Sequence, residues 1–86
     1  MISSGQIRAA RALLRMTVAE LAESSGIGVA TIKRLEATNG LPPAHVRTLE
    51  SLRKALEGAG VEFLGSPDNQ PGVVLTRPEG PGTTED

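Results

Sequence analysis

Two short amphipathic stretches bracket a glycine corner, Ser25-Gly26-Ile27-Gly28, and no other feature of this 86-residue chain restricts the fold as tightly. On the N-terminal side, Thr17 precedes Val18, Leu21, Ala22 and Ser25 at helical spacing, with Glu20 three residues after Thr17. That spacing is a capping box, in which hydroxyl and carboxylate each accept an otherwise orphaned amide. Gly26 suits the left-handed residue that ends a helix. Beyond the corner, Ile32, Leu35 and Glu36 recur at helical spacing from a start near Gly28 until the turn signal Thr38-Asn39-Gly40. Two rods so short, joined by so few residues, must cross steeply. Small Ala22 allows close approach and Ile27 plugs the junction. Leu21, Ile32 and Leu35 then point inward, which leaves Val29, Ala30, Lys33, Arg34 and Ala37 facing out.

The flanking segments supply the rest of a small core. A first helix over residues 4–14, capped by Ser3 or Ser4, places Ile7, Ala10, Arg11 and Leu14 on one face. Leu41-Pro42-Pro43 reads as an extended connector, because proline restrains the residue before it. A further helix over residues 44–57 turns Val46, Leu49, Leu52 and Leu56 inward and stops at Gly58 and Gly60. Two β-favouring runs follow, residues 61–64 and 73–76, separated by a turn-rich loop over residues 65–72. They read as a hairpin. A lone hairpin is marginal in water, so it must lean on its own helices or pair with the hairpin of a second chain. Residues 78–86 contain no apolar side chain and are expected to be a disordered acidic tail.

The formal net charge of −1 hides an asymmetry. Residues 1–54 carry eight Arg or Lys against four Glu, and residues 55–86 carry one Arg against six acids. The basic excess lies on the helical part, and a patch matters more than a whole-chain balance. No run of about 18 apolar residues is present to span a bilayer. The start, MISSGQIRAA, has no apolar signal core, so a cytoplasmic location is expected. There is no cysteine and only one histidine, which leaves neither a disulfide framework nor a metal cluster. With no nucleophile–base pair and no phosphate-cradling glycine loop, the expectation is a non-enzyme without metal or cofactor.

Two charges stand on apolar faces. Arg11 lies between Ile7 and Leu14, and Glu36 lies beside Ile32 and Leu35. A buried charge needs a partner, and the simplest partner for each is the other. They are read as a structural ion pair between the first and third helices.

The stretch 17–36, TVAELAESSGIGVATIKRLE, resembles the helix-turn-helix of the phage-repressor type, the family of Cro and lambda-repressor-like DNA-binding domains. The matching residues are Leu21-Ala22, Gly26-Ile27, Thr31-Ile32 and Leu35-Glu36, and the resemblance covers roughly residues 4–56. The sequence 58–64, GAGVEFL, also looks like the ending of many small bacterial members. The resemblance implies an all-α, lambda-repressor-like domain of four to five helices with a short C-terminal β-hairpin. It divides the chain into a helix-turn-helix domain over residues 1–60, a dimerising hairpin over 61–77 and a tail over 78–86. It further implies that the third helix enters the major groove of double-stranded DNA.

The residue chemistry agrees with that implication. Arg34 suits a bidentate contact to guanine, and Val29 and Ala30 suit thymine methyl groups. Thr31 and Lys33 would reach phosphate or a base edge. The amides near Thr17 and Val18 would hold phosphate, as would the side chains of His45 and Arg47. His45, Arg8 and Arg15 are also readable as ordinary surface residues. Two departures stand out: Val18 replaces the family's phosphate-clamping glutamine, and Gly28 replaces the Ser or Thr that caps the recognition helix. One module offers few contacts, so two-fold repetition over half-sites about 34 Å apart is expected. The homodimer would use Val61, Phe63, Val73, Val74 and Leu75, with Phe63 as anchor. The function expected is a transcription regulator, most simply a repressor of a pseudo-palindromic operator. The alternatives are a protein-interaction module, such as an antitoxin using the acidic tail on a protein partner, or a scaffold.

Overall fold

Each helix is entered from a residue held extended. In the computed structural model, which describes residues 1–40 and 42–77, Ser3, Thr17, Gly28 and His45 are the N-caps. They open α1 (Ser4–Leu14), α2 (Val18–Ser25), α3 (Val29–Glu36) and α4 (Val46–Ala59). Ser3 with Gln6 and Thr17 with Glu20 both form complete capping boxes, each satisfying two amides. Gly26 ends α2 at φ 78, a left-handed conformation that glycine adopts without strain. Its amide closes on the Ala22 carbonyl at 2.9 Å, which fixes the corner before α3 begins.

The core is aliphatic and continuous. Ile2, Ile7, Ala10, Leu14, Leu21, Ile32, Leu35, Leu49, Leu52, Leu56 and Val61 are all buried in one cluster. Burial of a Leu or Ile side chain stabilises the fold by about 1.5–3 kcal/mol, and no aromatic ring is required to reach that. Ile27 and Ala22 pack partly against this cluster from the corner.

The expected all-α class is overturned. The four helices are joined by an antiparallel pair, β1 (Val61–Ser66) and β2 (Asn69–Leu75), so about 54% of the described residues are helical and 17% are strand. The strands are longer than the β-favouring runs because the glycine- and proline-rich stretch between them joins the ladder instead of looping out. Val61 pairs with Leu75, Phe63 with Val73, Leu64 with Gly72 and Ser66 with Asn69. The extra residue of a bulge lies in β2, where Gln70 and Pro71 together stand opposite the single Gly65. At φ 71, and with the Gln70 carbonyl oxygen where a Cβ would sit, only glycine fits there.

The hairpin leans on its own helices. Val61 is buried, and Phe63, Val73 and Leu75 pack against the core between α1 and α4. Gln6 fastens it: the buried amide accepts the Ser3 N–H at 2.8 Å through Oε1 and donates through Nε2 to the carbonyls of Leu64 and Gly72 at 2.9 and 3.0 Å. Sheet and helices therefore share one interior.

Two smaller differences from expectation have local causes. α4 begins two residues later than its composition suggests, because His45 stays extended after Pro42-Pro43. Val46 consequently stands in the first turn, beyond the edge of the core, and is 65% exposed instead of inward. The acidic segment 78–86 lies outside the described residues. Among the described residues, no helix is long and apolar enough to cross a membrane.

Candidate nucleic-acid interface

Among the described residues, the outer surface of α3 is exposed. Ile32, Leu35 and Glu36 are buried, while Val29, Ala30, Lys33, Arg34 and Ala37 are exposed and Thr31 is half-buried. Gly28 contributes no side-chain cap to α3, and its carbonyl accepts the Ile32 amide at 3.0 Å as the helix begins.

Three sets of contacts hold α3 in this orientation. Arg11 Nε and Nη2 donate to Oε2 and Oε1 of Glu36, each at 2.8 Å, while Nη1 donates to the Met16 carbonyl at 3.0 Å. The bidentate fork leaves the carboxylate satisfied in a nearly buried position. Glu36 in turn raises the Arg11 pKa, first through the hydrogen bond, so the guanidinium is permanently charged. Ser4, fully buried, donates to the Leu35 carbonyl at 2.7 Å and shares a 2.6 Å hydrogen bond with Thr38 Oγ1. Arg8, read from sequence as surface or phosphate contact, instead donates to the carbonyls of Glu36 and Thr38. A cation on the last carbonyls of a helix is favoured by the helix dipole. α1 is thus a splint along the C-terminal end of α3.

α4 completes the surface. Thr31 and Arg34 from α3 line an open cleft of about 440 Å³ with Pro43, Ala44, His45 and Thr48. Arg47 lies with His45 and Thr48 around the first turn of α4, where His45 makes no side-chain cap. Among the described residues, Lys33, Arg34 and Arg47 have no carboxylate partner, whereas Arg11 and Arg53 are paired. Charge on this face is therefore unpaired among the described residues.

The start of α2 is less available than its sequence suggests. The Thr17 amide is taken by Glu20 Oε1 at 2.8 Å, and the Glu20 amide by Thr17 Oγ1 at 3.0 Å. The Glu20 carboxylate also occupies the position that favours an anion. The Val18 side chain packs against the core, so only the backbone there remains to meet phosphate.

Of the residues read as dimerising, Val61, Phe63, Val73 and Leu75 face the chain's own interior and Val74 faces outward at 43% exposure. Leu64, 42% exposed, accompanies Val74 outside the core, and plain alternation from inward Val61 and Phe63 is the signal that places it there. Thr48 was missed, although its position three residues after His45 places it on the same helix face. Gln6 was legible as the third position of a capping box. Its hold on the hairpin was not.

No model of a known protein family matches the chain, and no curated protein shows significant similarity to it.

Proposed function

We propose that this protein is a sequence-specific DNA-binding regulator of the helix-turn-helix type, acting as a homodimeric repressor on a pseudo-palindromic operator. The observation that carries the proposal is the outer face of α3, where Lys33 and Arg34 project beside apolar Val29 and Ala30 with no partner from the described chain. Exposed cations beside small apolar groups fit a major groove, whose edges offer guanine acceptors and thymine methyls. Thr31, His45, Arg47 and the backbone at Val18 flank that face and suit phosphate, which positions a reader without specifying sequence. The resemblance of residues 17–36 to the phage-repressor motif points the same way. For the dimer, Leu64 and Val74 supply the outward apolar contact on the hairpin.

Selection of bound duplexes from a random library, followed by gel-shift titration, tests the proposal. Arg34→Ala should weaken specific binding by about 1–3 kcal/mol and relax preference at one base pair, while Lys33→Ala should lower the salt slope by about one. Recovery of no preferred duplex, or unchanged discrimination in Arg34→Ala, refutes it. Val74→Glu should halve the mass seen by light scattering; an unchanged dimer refutes the hairpin interface.

A further inference from the structure

We infer that Asn39-Gly40 is a self-modifying site, at which the chain deamidates to isoaspartate and thereby loosens the hold of α1 on α3. Asn39 is exposed and lies in a bend outside every helix and strand. Neither its side chain nor the Gly40 amide makes a hydrogen bond among the described residues. Gly40 has φ 71 and open space where a Cβ would stand, so no side chain on that residue crowds its nitrogen. Nucleophile and electrophile are therefore adjacent and unrestrained, in a residue type known for thermal lability.

The chemistry needs only water. The deprotonated Gly40 nitrogen attacks Cγ of Asn39, the new N–Cγ bond closes a five-membered imide, and the Cγ–Nδ2 bond breaks to release ammonia. Water then opens the imide at one carbonyl. Opening at the Cγ side gives aspartate, and opening at the main-chain side gives isoaspartate, which carries one extra carbon in the backbone. No group is oxidised or reduced. The other asparagine, Asn69, precedes Gln70 inside β2, where the following side chain crowds the nitrogen and the ladder holds the backbone.

The consequence follows from what surrounds the bend. The Gly40 carbonyl accepts the Ser4 amide at 2.9 Å, and Thr38 on the other side is bonded to Ser4 and Arg8. An extra backbone carbon between these two anchors cannot keep both. The new carboxylate also stands just past the C-terminal end of α3, where the helix dipole disfavours negative charge.

The test incubates the full chain, folded and in denaturant, at body temperature and mildly alkaline pH. Peptide mapping with isoaspartyl methyl-transfer labelling follows. We expect the residue-39 peptide of the folded chain to gain one mass unit and the label at a rate similar to the denatured chain. Residue 69 should lag well behind, and Asn39→Gln should take no label at position 39. Aged wild-type protein should melt below Asn39→Asp, which has the charge without the extra carbon. Labelling confined to the denatured chain, or equal labelling at residue 69, overturns the site. Aged protein that melts like Asn39→Asp overturns the loosening.

Discussion

Arg11→Met and Glu36→Gln remove the two halves of one ion pair, and the structure says that they will not cost the same. Glu36 leaves only 9% of its side chain exposed and Arg11 leaves 24%. Removing one partner of a fully buried pair costs about 3–5 kcal/mol, because the other charge is stranded. An exposed pair is worth about 0–1 kcal/mol. Arg11→Met strands the more buried group, a carboxylate that loses two 2.8 Å hydrogen bonds, so its cost belongs near the buried limit, about 3 kcal/mol. Glu36→Gln keeps an acceptor for Arg11, which also keeps its bond to the Met16 carbonyl and reaches water, so about 1–2 kcal/mol is expected. In Arg11→Met/Glu36→Gln no charge is stranded, so the double variant should cost less than the two single variants together, by about 1 kcal/mol or more.

Urea denaturation followed by far-ultraviolet circular dichroism measures all four proteins in one cycle, since the helices dominate the signal. A domain of this size has little stability to spare, so a loss of about 3 kcal/mol moves the midpoint visibly. Equal costs for the two single variants, or a coupling energy below about 0.5 kcal/mol, would show that the pair does not stabilise the splint between α1 and α3.

Gln6→Leu leaves the Leu64 and Gly72 carbonyls without their side-chain donor and should destabilise the protein by about 1–3 kcal/mol; hydrogen exchange speeding up in β1 and β2 before the helices would confirm where the loss falls, and uniform exchange would contradict it. Val46→Ser should change stability by no more than about 0.5 kcal/mol, whereas Leu49→Ala should cost about 2–5 kcal/mol. Similar losses in thermal melts would show that Val46 is inward after all. The Glu50 carboxyl is held below its ordinary range first by the hydrogen bond from Arg53. Its contribution to stability is therefore present above the ordinary carboxylate range and is lost as the pH falls through the lowered folded value. Glu50→Gln should remove that part of the acid dependence, and a titration of stability superimposable on the wild type would rule it out.

Much of the helical scaffold was legible from local rules. The capping box at Thr17 and Glu20 and the left-handed Gly26 depend on residues within one turn of each other, so sequence spacing is enough to read them. The inward stripe Ile7, Ala10 and Leu14 and the outward set Val29, Ala30, Lys33 and Arg34 follow from helical periodicity. Arg11 and Glu36 stood out because a charge on an apolar stripe demands a partner.

What the sequence determined by itself, then, was where the rods start, where they stop and which way each of them faces. Tertiary structure alone decided the class of the domain. A bulge in β2 opposite Gly65 recruited turn-forming residues into strands, and the hairpin folded Phe63, Val73 and Leu75 onto its own helices. It also decided what Ser4, Gln6 and Arg8 do, since each bonds to groups that lie 28 or more residues away. Periodicity reports the face of an element, but the partner that meets that face is set by long-range packing, which no local spacing encodes.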